Sequence, residues 1–215
     1  MSSLTFYTHP MSRGQTVRWM LEEVGEPYET EILDYGSTMK AERYLSVNPM
    51  GKVPAIRHDG KVVTEVAAIC CYLADAFPQA GLAPPPAERA DYYRWIFFTS
   101  GPVEAAFSNK AAGWEPTPER QRMFGYGTYD LAIATLEKAL TGRDYLAANH
   151  FTAADLFVAA NVNFMLAFKL LEPKPVFTDY AERMTDRDSY RRAKAIDGKL
   201  IAEIQARQAQ EPANA

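Results

Sequence analysis

Between residues 77 and 86 the chain changes character, and this break constrains the fold more than any other feature. The segment holds Pro78, Gly81 and the run Pro84-Pro85-Pro86, which stiffens a linker and admits neither a helix interior nor a central strand. Before it, short β-prone runs alternate with helical ones. Residues 4–7 and 28–33 read as strands. Residues 15–24 read as a helix, because Val17, Met20, Leu21 and Val24 recur at helical spacing and Gly25 stops the run. Residues 40–45 suit a short helix. Residues 53–57 and 61–63 flank His58-Asp59-Gly60, where Asp-Gly signals a hairpin, and residues 65–76 are helical again. The order is β-α-β-(α)-β-β-α, which predicts a right-handed parallel first unit and an antiparallel edge.

After the break every segment reads helical: 87–109, 118–140, 152–171, a shorter helix after Pro175, and 189–207. The expected division is a mixed α/β domain over residues 1–82 and an all-helical domain over residues 87–210. The stretch 152–171 is apolar nearly all round and predicts a buried central helix. Its start is well specified: Thr152 and Asp155 form a variant capping box, with Phe151 and Leu156 as the staple. Residues 211–215 read as a disordered tail.

Composition removes several function classes. The net charge is −4, which gives no electrostatic reason to expect nucleic acid or an anionic membrane as partner. No apolar run approaches the ~18 residues of a membrane span. Residues 1–7 enter a strand pattern at once and lack the apolar core of a signal peptide, so a cytoplasmic location is expected. Cys70 and Cys71 are adjacent within a helical pattern. They point about 100° apart and read as reduced core thiols. His9, His58 and His150 are scattered without metal-ligand spacing, so no metal is expected.

The segment Asn48-Pro49-Met50-Gly51-Lys52-Val53-Pro54-Ala55-Ile56 carries the functional signal. An X-Pro bond adopts cis at modest cost in a tight turn. A cis bond at Val53-Pro54 would turn the N–H and C=O of Val53 outward, leaving a donor and an acceptor at a strand edge for an extended peptide ligand. An ordinary Pro-Gly turn before a strand is the alternative.

This segment, followed by Glu65-Val66-Ala67-Ala68-Ile69 and then Thr152-Ala153-Ala154-Asp155-Leu156, resembles the cytosolic glutathione S-transferases in order and spacing. Arg18-Trp19-Met20-Leu21-Glu22-Glu23 with Gly25 and Tyr28 is similar to the family's first helix and second strand, so the likeness spans nearly the whole chain. The resemblance implies a thioredoxin-like N-terminal domain, an all-helical C-terminal domain, a homodimer, and a detoxifying enzyme with glutathione as co-substrate. It places Val53, before cis-Pro54, against the cysteinyl unit of glutathione. It sets Glu65 against the γ-glutamyl amine, the Val66 N–H against the γ-glutamyl carboxylate, and Lys52 and Lys40 against the glycyl carboxylate. One departure stands out: the family has serine where this chain has Val66. A lost hydrogen bond to a charged group costs ~1.5–3 kcal/mol, roughly tenfold to a hundredfold in affinity.

Thiol transfer needs a thiolate near neutral pH, against an ordinary thiol pKa of about 8.5. A hydroxyl donor and a helix N-terminus acting together would lower it by about two units. The window between the first strand and first helix is Tyr7-Thr8-His9-Pro10-Met11-Ser12-Arg13-Gly14. Two candidates remain open there. Ser12 lies just before the helix, as the hydroxyl of serine-type members does. Tyr7 ends the strand, as in tyrosine-type members. His9 stands where cysteine-type relatives hold their nucleophile, and this loop has no cysteine. Tyr92, Trp95, Phe107 and Trp114 are candidates for an apolar pocket that takes a small hydrophobic electrophile. The leading function is transfer of the glutathione thiol to such an electrophile. The alternatives are a non-catalytic binding or scaffold protein on the same fold, or a glutathione-dependent peroxidase, isomerase or dehalogenase.

Overall fold

The structure is a computed structural model that describes residues 3–210; the tail at 211–215 lies outside them. Two compact units emerge. The first comprises residues up to 80 together with residues from 187 onward, and the second is 81–186.

The first unit is built on a four-stranded mixed sheet in the order β2-β1-β3-β4. Its strands are β1 (Leu4–Thr8), β2 (Glu29–Ile32), β3 (Ala55–His58) and β4 (Lys61–Thr64). β1 runs parallel to β2 and antiparallel to β3, and β4 returns antiparallel beside β3. The hairpin turns at Asp59-Gly60, both with positive φ, as the Asp-Gly pair predicts. The helices are α1 (Gly14–Val24), the short α2 (Glu42–Leu45) and α3 (Val66–Ala76), with a 3₁₀ turn at Thr38–Lys40. Strand alternation separates the two faces of β1. Phe6 meets Arg18 of α1 and Tyr28. Tyr7 packs in a cluster with Leu33, Met39, Tyr44, Val47 and Ala55.

The second unit contains α4 (Ala90–Phe98), α5 (Glu104–Ala111), α6 (Tyr129–Leu140), α7 (Ala153–Ala167) and α8 (Pro175–Thr185). Two stretches expected as single helices are divided. Residues 87–109 are interrupted by one wide π turn at Thr99–Val103, which contains Pro102. A proline lacks the N–H that the helix needs and crowds the preceding turn, and the wider turn absorbs both effects. Within 118–140 the helix begins only at Tyr129, where Thr128 caps it by accepting from the Leu131 N–H.

The α7 capping box is present. Thr152 Oγ1 accepts from the Ala154 N–H at 3.3 Å, and Asp155 accepts from the Thr152 N–H at 3.0 Å. Asp155 also accepts from the Leu146 N–H at 2.8 Å and the Tyr180 hydroxyl at 3.1 Å. Burial raises its pKa, and these hydrogen bonds pull the other way.

The last helix, α9 (Asp188–Gln210), packs with the first unit, whereas the sequence groups it with the helical half. Polar contacts fasten it, and Arg187 just before it, to α1. Arg18 pairs with Asp197 at 2.8 Å, both side chains nearly fully buried. Arg187 grips Glu23 through two nitrogens at 2.6 and 2.8 Å. Arg192 reaches Glu22 at 3.0 Å, and Lys194 donates to Gln15 at 3.2 Å. The Trp19 and Tyr190 rings meet edge to face at 4.9 Å.

Candidate functional site

Register brings the candidate residues to one edge of the sheet. Tyr7 sits opposite Ala55, and Ala55 opposite Thr64. The loop leaving β1, the Val53-Pro54 turn entering β3 and the Glu65-Val66 junction leaving β4 therefore emerge side by side. β2 ends at the same edge, because it runs parallel to β1 with Thr8 beside Ile32. The Leu33 N–H then donates to Thr8 O at 2.8 Å.

The Val53-Pro54 bond is cis. The turn is fixed from behind: Lys52 O accepts from the Tyr44 hydroxyl at 2.6 Å and from Asn48 Nδ2 at 2.8 Å. Burial pushes the Tyr44 phenol up to about 12, so it stays a donor. The backbone N–H and C=O of Val53 take no hydrogen bond from any described residue. The turn thus presents one unengaged donor and acceptor. Lys52 is exposed at its rim. Lys40 is placed differently, with Nζ donating to Gly51 O at 2.8 Å and Met50 O at 3.2 Å, so its charge stiffens the loop. Gly51 is required there: its φ is +56°, and a Cβ would come within 2.9 Å of both Lys40 Nζ and Met39 O.

Glu65 immediately precedes α3, exposed, with φ 68° and ψ 120°. A non-glycine residue held there costs about 1–3 kcal/mol, and such strain gathers at ligand sites. No side chain caps α3. The N–H groups of its first turn, Val66 included, therefore have no side-chain cap, and a helix start of this kind suits an anion; here an acidic side chain stands beside it.

In the loop after β1, Ser12 Oγ donates to His9 O at 2.6 Å and accepts from the Gly14 N–H at 2.9 Å. It caps α1 in effect. His9 is buried, and its Nδ1 accepts from the Met11 N–H at 3.2 Å, so the ring proton sits on Nε2. Burial lowers the His9 pKa, partly opposed by Asp34. Gln15 donates to Pro10 O at 2.7 Å. Gly14 lies so close to β1 that a Cβ would fall 1.9 Å from Thr8 Oγ1. Tyr7, the other candidate, is buried, with its ring 5.6 Å from that of Tyr44.

The aromatic candidates of the second unit divide. Tyr92, Trp95 and Phe107 are buried core residues. Phe107 and Phe164 meet at a tilt with ring centres 5.8 Å apart, and Trp95 meets Phe98 edge to face at 5.8 Å. Trp114 is 42% exposed and meets Phe124 edge to face at 5.1 Å. Among the described residues no cluster of three or more His, Cys, Asp or Glu is arranged to hold a metal ion, and no helix is long and apolar enough to cross a membrane.

One residue escaped the sequence analysis. Tyr35, in the turn after β2, lays its ring on that of His9 at 4.5 Å. The available signal was topological: a parallel second strand ends beside the first, so an aromatic just past it falls at the same edge.

Comparison with known proteins agrees with this geometry. Residues 11–76 match the family described as glutathione S-transferase, N-terminal domain. Protein LigF of Sphingobium sp. is 29% identical over 205 residues, covering 76% of this chain and 77% of that protein. Glutathione S-transferase GST-4.5 of Xanthomonas campestris pv. campestris is 30% identical over 139 residues, covering 61% and 68%. The solved structure of a sphingomonad glutathione S-transferase complexed with glutathione superposes with a TM-score of 0.71 at 27% identity, over 90% of this chain and 98% of that one. The chain belongs to the glutathione S-transferase superfamily.

Proposed function

We propose that this protein binds glutathione and activates its thiol for attack on a small electrophile. One observation carries the reading. At a single sheet edge, an unengaged backbone donor and acceptor at Val53 stand beside an uncapped helix start with an acid in front of it. This is a complement for an extended peptide that carries a carboxylate and an amine close together. A structural relative of the chain is itself complexed with glutathione.

In this reading Val53 pairs with the cysteinyl backbone. The α3 start at Val66 takes the γ-glutamyl carboxylate, and Glu65 takes the adjacent amine. Lys52 faces the glycyl carboxylate, while Lys40 holds the Met50-Gly51 carbonyls in place. The protein forms no covalent bond; it positions the thiol and stabilises the thiolate. Ser12 and Tyr7 are the two hydroxyls proposed for that task, Ser12 half-buried in the loop and Tyr7 the more deeply packed. Of the four aromatic candidates, the exposed Trp114 ring is the one we propose for contact with the electrophile. The assembly we expect is a homodimer, which light scattering will measure.

Calorimetric titration with glutathione tests the reading. Saturable binding at or below millimolar concentration is expected. No heat of binding at several millimolar ligand would leave the chain a scaffold on this fold rather than a transferase.

A further inference from the structure

We propose that the groove between α6 and the start of α8 binds a small organic ammonium ion, its apolar body against the groove lining and its charge at an acidic rim. The groove lies wholly within the second unit, and the inference is independent of the glutathione reading.

Helix periodicity builds one wall. Tyr129, Ile133 and Glu137 recur at four-residue spacing on α6, so they share a face, and all three line the groove. Leu171, from the chain entering α8, and Phe177, from the first turn of α8, belong to the opposite wall. The space between the walls is about 290 Å³. That is the small end of ligand pockets, which run ~300–1,000 Å³, and it suits a single-ring molecule.

The buried part of the lining is apolar. Phe177 is fully buried, Leu171 is 4% exposed and Ile133 8%. Tyr129 is held in place, because its hydroxyl donates to Leu170 O. Its ring already meets one ammonium: Lys110 Nζ lies 3.6 Å from the ring centre, though Lys110 is not part of the groove lining.

The charged part of the lining is unbalanced. Asp130, Glu137 and Glu172 bring three carboxylates, and Lys174 is the one cation among the lining residues. Lys174 donates to Glu137 at 2.8 Å, so that pair links the two walls and neutralises itself. Asp130 and Glu172 are exposed, and neither forms an ion pair with a described residue. The starts of α6 and α8 open at the same groove and contribute roughly half a positive charge each. They offset about one of the two remaining negative charges and leave the rim acidic. Such a groove disfavours an anion and offers a neutral ring only burial. A cation with an apolar body gains from both the lining and the rim.

The test uses the full-length protein, with phenethylammonium as the probe and amide chemical shifts as the readout. Saturable shifts confined to the groove residues are expected. Phenethyl alcohol has the same ring without the charge and should bind about threefold to tenfold more weakly, the scale of one or two exposed charge pairs. The double variant Asp130→Asn, Glu172→Gln should lose that preference and keep its affinity for the alcohol within about twofold. Ala134→Trp, at an exposed position on the groove wall, should abolish binding of both probes. Equal affinity of the wild-type protein for amine and alcohol overturns the proposal. So does a double variant that keeps the wild-type preference. Shifts that map elsewhere on the chain, or none at tens of millimolar probe, overturn it as well.

Discussion

Gly14 is where the candidate site and the fold share an atom's worth of space, so alanine there makes a quantitative test. A Cβ at this position would lie 1.9 Å from Thr8 Oγ1, 2.9 Å from Ser12 Oγ and 3.2 Å from Thr8 Cβ, where ordinary contact begins at 3.4 Å. The shortfall against Thr8 Oγ1 is 3.4 − 1.9 = 1.5 Å. Thr8 is buried and, being β-branched, stiff at χ1, so its hydroxyl has little freedom to turn away. The end of β1 and the start of α1 must part. Overpacking of this kind costs about 1–3 kcal/mol, and the better helix propensity of alanine offsets at most ~1 kcal/mol of it. We expect Gly14→Ala to destabilise by about 2 kcal/mol in urea unfolding followed by circular dichroism. In a Thr8→Ala background the 1.9 Å contact disappears and the worst remaining shortfall is 3.4 − 2.9 = 0.5 Å. The same substitution should then cost less than ~1 kcal/mol, a coupling of at least ~1 kcal/mol between sites that would otherwise add to within ~0.5 kcal/mol. Additive losses in the double variant would refute the reasoning.

Three further outcomes are expected. Asp197→Ala should destabilise by ~3–5 kcal/mol in urea unfolding, because it strands a buried Arg18 guanidinium; a loss under ~1 kcal/mol counts against the pair as a tie between α1 and α9. The depressed pKa of His9 means the folded state binds fewer protons than the unfolded chain once pH drops below about 6.5. Stability from this group is thus present above that pH and lost as pH falls through the folded value, at up to ~1.4 kcal/mol per pH unit. Melting temperatures at pH 7.5 and 5.5 should converge in His9→Gln, and equal slopes in both proteins would contradict it. Val66→Ser should tighten glutathione binding by about tenfold in calorimetry by adding a hydroxyl beside the α3 start; an unchanged or weaker affinity would mean the ligand carboxylate lies elsewhere.

What could be read before the structure was whatever local chemistry decides. The capping box at Thr152, the Asp59-Gly60 hairpin and the Val53-Pro54 turn each rest on a few neighbouring residues, and each stands where the residues indicate. What stayed hidden depends on distant partners. The spacing of residues 189–207 announces a helix but not its neighbour, because the tie that places it, Arg18 to Asp197, spans 179 residues. Residues 87–109 look like one helix because their apolar spacing runs on through Gly101-Pro102, and only the wide turn reveals how the missing N–H is accommodated. Tyr35 went unnoticed for a similar reason. Its place beside His9 follows from the strand order β2-β1-β3-β4, which no local pattern encodes.

The clamp of α9 on α1 also sets an order of events during synthesis. The helical unit, residues 81–186, interrupts the unit that flanks it, so 186 − 80 = 106 residues must be made before the segment that covers Arg18, Trp19, Glu22 and Glu23 exists. At ~5–20 residues per second that delay is roughly 5 to 20 seconds. Throughout it, the nascent sheet carries α1 with one face uncovered and the Arg18 charge without its carboxylate, while the later unit already has every helix it needs. The unit that bears the candidate site is the first to be started and the last to be closed.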